Sequence, residues 1–248
     1  MTPLTVRSFE LGDDTWRAST IRDVADAVRC YLRYRQLLGD NVKLLIRAVP
    51  RPSPWGRKEL PQALTCDELN ELFRSFDLPF KSKRRGYAIV RCLADIGLRS
   101  SEVVNLSLDD IDWEAGTLRV VLGKARRSNV MPLTPTVGTA IADYILRERP
   151  QTTCRKIFVR HVASLGEPVG RRVVQKVFHA AYRRLGWSRT RVHILRHTLA
   201  TRLINAGAPM KEVADVLRHR SVVTSAVYAR VEIARLSAVA LPWPRSAA

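Results

Sequence analysis

The stretch HILRH, residues 193 to 197, sets His193, Arg196 and His197 close together in the chain. On a helix, residues three apart share a face, so His193 and Arg196 point the same way while His197 points elsewhere. Such a pair suits a grip on phosphate: Arg presents a planar, permanently charged fork to the nonbridging oxygens, and His exchanges protons near neutral pH. The same pair fits an ordinary basic helix turn equally well. The rest of the chain has to decide between them.

Composition narrows the partners. Lys and Arg number 42 against 23 Asp and Glu, a net charge of +19, and the sequence pI is about 10.8. A polyanion is the default partner of so basic a chain, with nucleic acid ahead of an anionic membrane surface. No apolar stretch approaches the roughly 18 residues that a membrane span needs. The opening MTPLTVRSFELGDD lacks the basic-then-apolar order of a secretory signal, so a soluble cytoplasmic protein is expected. Cys30, Cys66, Cys92 and Cys154 are too scattered for a CxxC-type zinc site and are expected to be reduced packing residues.

The elements that must position any site follow from periodicity. Spacing predicts an amphipathic helix over 19–39, with Ser19 as N-cap, Ile21, Val24, Val28 and Leu32 on one face, Arg22, Arg29, Arg33 and Arg35 on the other, and Gly39 as its end. Four prolines and a glycine within 49–61 break any helix and read as a linker. Thr65 and Glu68 stand in capping-box spacing and restart helix, and another helix is expected over 82–97 with Gly97 as its stop. Short β-branched runs at 118–122 and 130–133 flank a basic connection, which predicts a hairpin. Helical patterns return at 136–149, 170–186, 191–207, 210–219 and 221–231. The fold class expected is mainly α with a small antiparallel β-sheet.

Five segments then carry a resemblance that covers most of the chain: GLRSSEVVNL (97–106), GKARRSNVMPL (123–133), HILRH (193–197), LRHRS (217–221) and VYARV (227–231). In order and separation they resemble the motifs of tyrosine recombinases, the phage integrase family. Matched position by position, the resemblance makes Arg99, Lys124, His193, Arg196, His219 and Tyr228 the active-site set. It implies a helical core-binding region over 1–50, a linker over 51–60 and a catalytic domain over 61–248.

The residue types suit that chemistry. Breaking a phosphodiester needs a nucleophile, charge stabilisation of a pentavalent transition state and a proton for the leaving oxygen. Tyr228 can attack, Arg99 and Arg196 can hold the nonbridging oxygens, and His219 can donate to the same phosphate. His193 is the proton acceptor for the tyrosine hydroxyl. The resemblance gives Lys124, in the hairpin turn, the protonation of the 5′ oxygen. No cofactor or metal is expected, because the cationic side chains fill the metal's role and no carboxylate cluster of the two-metal kind is evident.

Taken singly, each residue has a plainer reading. Arg99 alone would be a solvated surface charge, with Glu102 either orienting it or forming an ordinary surface ion pair. Lys124 competes with Arg126 and Arg127 for any phosphate. The histidines and Tyr228 could each be packing residues, and His197 is taken as structural. Their joint order is what favours the site. The basic segments 81–86 and 170–176 are expected to contact phosphates and add affinity with little sequence preference.

Two departures from the family pattern stand out. Arg218 occupies a place where the family commonly has Gly, so a turn needing positive φ there would be strained by roughly 1 kcal/mol. At the other end, only the helix over 19–39 matches the several-helix core-binding domain, so that jaw of the clamp reads as shortened. The function expected is site-specific DNA recombination through a 3′-phosphotyrosyl link, by a tetramer on double-stranded DNA. The alternatives are a type IB topoisomerase, and a nonenzymatic DNA-binding remnant of a mobile-element integrase.

Overall fold

The structure is a computed structural model that describes residues 18–49, 62–122, 127–188 and 191–218. The chain divides into two compact units, Met1–Lys58 and Glu59–Ala248. The proline-rich segment expected as a linker lies outside the described residues, as does the helix expected over 221–231.

In the first unit, helix α1 (Ala18–Leu37) is followed by a short α2 (Lys43–Ala48) that the sequence pattern did not reveal. Ala25, Leu32, Val42 and Val49 form its small core. Ser19 falls inside α1 rather than at its N-cap. Gly39 closes the helix as expected, at φ 97°. Arg29 was expected on the polar face but is 9% exposed, donating to the Asp26 carboxylate at 2.8 Å and the Val49 carbonyl at 3.3 Å. A hydrogen-bonded carboxylate and carbonyl make that burial tolerable.

The second unit is mostly helical with one small sheet. Helix α3 (Cys66–Arg74) starts at the expected capping box: Glu68 N–H donates to Thr65 Oγ1 at 3.1 Å, and Thr65 N–H to Glu68 Oε2 at 2.8 Å. Helix α4 (Lys83–Asp95) buries Ala88, Ile89, Val90, Cys92, Leu93 and Ala94, and packs on helices α6 (Pro135–Arg147), α7 (Arg171–Arg184) and α8 (Ile194–Asn205). A helix covered on so many sides is the centre of the core. Its N-terminus is closed from a distance, since Glu148 accepts the N–H groups of Arg84 and Arg85 at 3.2 and 2.8 Å. The short helices α5 (Ser100–Asn105) and α9 (Met210–Val216) complete the α-helices among the described residues of this unit.

Strands β1 (Ile111–Asp112), β2 (Thr117–Leu122) and β3 (Arg127–Pro132) form an antiparallel sheet in that order, with Leu118 opposite Met131 and Leu122 opposite Arg127. Leu118 and Val120 face the core at 0 and 1% exposure while Val121 faces solvent, the alternation a one-sided sheet requires. The second hairpin strand begins at Arg127, three residues before the apolar run that signalled it, because ladder pairing extends past the last buried side chain. The cysteines are free, as expected, but only Cys92 is a buried packing residue; Cys30 and Cys66 are exposed. Among the described residues, no helix is long and apolar enough to cross a membrane.

Candidate phosphate-binding site

Three of the expected site residues are described, and they converge. Arg99 is the N-cap of α5, Arg196 lies in the first turns of α8, and His193 is the N-cap of α8. Lys124 lies between β2 and β3, and His219 and Tyr228 follow α9; all three are outside the described residues.

Glu102 is the hub on which the arginines meet. It is 7% exposed, and α5 begins with its carboxylate accepting the Arg99 N–H at 2.8 Å. The same carboxylate accepts Arg99 Nη1 at 2.8 Å on Oε1 and Arg218 Nη2 at 2.9 Å on Oε2. The Arg99–Glu102 pair is therefore no surface bridge on the acid's side. Burial by itself would raise the Glu102 pKa, but Arg218, the Arg99 N–H and the Arg99 guanidinium outweigh it and the net shift is downward. Glu102 stays ionised and anchors both cations.

Arg196 is held by backbone instead. It is 7% exposed, with Nη1 donating to the Gly97 carbonyl and Nη2 to the Leu217 carbonyl. Gly97 is suited to this junction for two reasons. Its φ is +67°, and a Cβ there would lie 2.8 Å from Leu199 Cδ2 and 3.0 Å from Leu217 Cδ2. Arg99 remains the more open of the two arginines, its side chain 34% exposed, with Nη2 on the Arg218 carbonyl at 3.2 Å. The carbonyls at the end of α9, Leu217 and Arg218, thus each take one guanidinium.

His193 is solvent-accessible at the start of α8. Desolvation by the surrounding protein, followed by repulsion from Arg196 and Arg99, lowers its pKa below the ordinary histidine value. It is neutral at neutral pH and able to accept a proton. His197 is half-buried one turn on, and its N–H donates to the His193 carbonyl at 3.1 Å.

Arg218 was noticed in the sequence only as a departure at a turn. Its φ is +53°, so the turn does use the left-handed region, at about 1–2 kcal/mol for a residue with a Cβ. What the sequence did not reveal is where its side chain goes, which is into the buried centre of the site. No local pattern signals a contact made across more than a hundred residues of chain.

A second basic region gathers elsewhere in this unit. The segments 81–86 and 170–176 border one cavity of about 820 Å³, where Lys81, Arg85, Arg160, Arg171, Arg172 and Lys176 are among the lining residues. No carboxylate is among the described residues that line it. Also among the described residues, no group of three or more His, Cys, Asp or Glu is placed to hold a metal ion.

Comparison with known proteins bears on this geometry. The profile of the phage integrase family matches residues 62–235. The chain belongs to the phage integrase family. This integrase-family chain is 32% identical over 231 residues to the tyrosine recombinase XerC of Pelotomaculum thermopropionicum, covering 90% of itself and 74% of that protein. It is 41% identical over 226 residues to the Sinorhizobium fredii protein y4rA, but spans only 55% of that relative's length. A crystal structure of the XerH site-specific recombinase bound to palindromic difH substrate, a post-cleavage complex, superposes with a TM-score of 0.78 at 18% identity, over 96% of this chain and 71% of that one. A lambda integrase dimer bound to a COC′ core site gives 0.70 at 17% identity, over 92% and 64%. At those identities the likeness is one of fold, and the mainly helical architecture with its small antiparallel sheet is the integrase catalytic fold.

Proposed function

We propose that this chain carries out site-specific DNA recombination by the tyrosine route. The observation that supports it most is the pairing of Arg99 and Arg196, anchored on Glu102 and on the Gly97 and Leu217 carbonyls, beside a neutral His193. Two fixed guanidiniums suit a phosphate whose charge grows in the transition state, since preorganised donors need no reorientation as the reaction proceeds.

In this reading the Tyr228 oxygen attacks the phosphorus, forming the P–O bond to tyrosine as the bond to the 5′ oxygen breaks. His193 accepts the tyrosine proton, Lys124 gives a proton to the leaving 5′ oxygen, and His219 donates to a nonbridging oxygen. Attack by another strand's 5′ hydroxyl reverses the step and releases Tyr228. The phosphodiester energy is conserved in the covalent link, so no nucleotide is consumed. The DNA is double-stranded, in keeping with the net charge of +19, and the basic cavity contacts its backbone. XerH and lambda integrase were crystallised on DNA, and a tetramer on two sites is the assembly proposed for this chain.

The test is incubation with a pool of nicked duplexes of randomised sequence, followed by denaturation. A covalent protein–DNA band, absent from Tyr228→Phe, supports the reading, and sequencing the captured DNA yields the preferred duplex. DNA binding with no such band would make the chain a nonenzymatic binder. Relaxation of supercoils without exchange between sites would make it a topoisomerase.

A further inference from the structure

Arg218 is placed against the preference of its own backbone. At φ +53° a glycine would sit without strain, yet this position carries a long cationic side chain that is 2% exposed. A buried guanidinium at a strained turn needs partners, and two of those it has, Glu102 and the Gly97 carbonyl, also hold the two arginines proposed to grip phosphate. Its Nη2 donates to Glu102 Oε2 at 2.9 Å and to the Gly97 carbonyl at 3.1 Å, and its Nη1 to the Val216 carbonyl and Met131 Sδ, both at 3.1 Å. Glu102 is the anchor of Arg99, and the Gly97 carbonyl is the anchor of Arg196. The Arg218 carbonyl also takes Arg99 Nη2.

We propose that Arg218 is a positioning residue of the recombination site: its side chain clamps Glu102 and the Gly97 carbonyl together and thereby sets the orientation of both Arg99 and Arg196. The clamp also governs what Arg99 can do with its own donors. Glu102 Oε2 is occupied by Arg218 and by the Arg99 N–H, so the Arg99 guanidinium reaches this carboxylate through Oε1 alone. A free Oε2 would invite the two-point fork that arginine prefers with carboxylate, turning Arg99 inward and away from phosphate. The proposal rests on Arg99 and Arg196 being the phosphate-holding pair.

The experiment uses the full chain with Arg218→Gly, which relieves the backbone, and Arg218→Lys, which keeps the charge but cannot bridge both acceptors in one plane. Covalent complex formation is followed in single turnover on the duplex captured from the randomised pool. Arg218→Gly should slow cleavage about 10- to 100-fold, the scale of a small misplacement of catalytic groups, with DNA affinity nearly unchanged; Arg218→Lys should recover part of the rate. The acid limb of the pH profile should also move to higher pH in Arg218→Gly. The charged groups facing Glu102 are Arg99 from its own helix and Arg218 from the turn after α9, with Arg196 joined to Arg218 on the Gly97 carbonyl, so removing Arg218 makes Glu102 easier to protonate. A folded Arg218→Gly protein with unaltered rate and pH profile would overturn the proposal.

A second readout does not depend on turnover. The Nε–Hε resonances of Arg99 and Arg196, assigned by mutation and recorded without DNA, should broaden or shift in Arg218→Gly and be partly restored in Arg218→Lys. Unchanged resonances would overturn the clamp even if no covalent complex ever formed. A wild-type chain that forms no complex while its resonances respond to Arg218 would instead fault the recombinase reading and leave the clamp standing.

Discussion

Arg99 and Arg196 are expected to act on the same phosphate, yet their surroundings make them unequal targets for mutation. Removing the Arg99 side chain leaves Glu102 paired with Arg218, so Arg99→Ala should cut covalent complex formation by about 100- to 1,000-fold with little loss of thermal stability. Removing Arg196 leaves the Gly97 carbonyl to Arg218 Nη2 but takes the guanidinium donor from the Leu217 carbonyl, at about 1–3 kcal/mol, so Arg196→Ala should also unfold at lower denaturant. Urea melts of both variants check this, and equal stabilities would sink the distinction. Two titrations belong to the same scale. The lowered His193 pKa means that protonation disables the acceptor only below the ordinary histidine value of about 6.5, so cleavage should persist as pH falls through that value. Glu102 has a folded pKa below its unfolded one, so its contribution to stability is complete above about pH 4.3 and is lost as pH falls further. Glu102→Gln leaves Arg218 buried without a countercharge and should cost about 3–5 kcal/mol in urea melts at pH 7.

At the scale of elements, the site is a junction of helix ends. Helix α4 stops at Asp95, Gly97 turns the chain, α5 begins at Ser100, α8 begins beside His193, and α9 ends under both guanidiniums. Helix ends carry unpaired carbonyls and N–H groups, which is why cations and a carboxylate gather there. Gly97 is the tightest point. In Gly97→Ala the left-handed φ costs about 1–2 kcal/mol, and the clash with Leu199 adds about 1–3 kcal/mol of overpacking. We expect thermal stability to fall and cleavage to fall further than stability explains, because the carbonyl that holds Arg196 must move. A variant with wild-type rate would show that this carbonyl tolerates displacement.

For the molecule as a whole, part of the basic charge is gathered in one place. Segments 81–86 and 170–176 meet around one cavity although they lie far apart in the chain. If they bind backbone phosphates, every phosphate left unneutralised by the double variant Arg171→Ala, Arg172→Ala should reduce the salt slope of log K by about 0.9. Binding to random duplex across a salt series measures it, and an unchanged slope would place the DNA elsewhere. The unit also closes on itself across its length: Leu64 N–H, just ahead of α3, donates at 2.8 Å to Thr198 Oγ1, whose hydroxyl donates at 2.8 Å to the Ile194 carbonyl within α8. The chain before α3 is thereby tied to the helix that carries Arg196.

The order of secondary structure was legible in the sequence because it rests on local physics. The Thr65–Glu68 capping box, the helix stops at Gly39 and Gly97, and the β-branched runs of the hairpin at 118–122 and 130–133 each depend on residues a few positions apart. Motif order also named Arg99, His193 and Arg196, and the fold sets the two arginines on neighbouring carbonyls with His193 at the start of the helix that carries Arg196. The short α2, the burial of Arg29 and the depth of Glu102 were not legible, since each depends on what another segment brings. Arg218 marks the division most sharply. The sequence, through its resemblance to the family, showed only that Arg218 stands where a glycine is common, and the turn's positive φ came with the structure. Only tertiary structure decided that its guanidinium runs inward to Glu102 and Gly97, because a contact between residues 102 and 218 has no period, cap or spacing to announce it and exists only once α5 and the end of α9 have packed together.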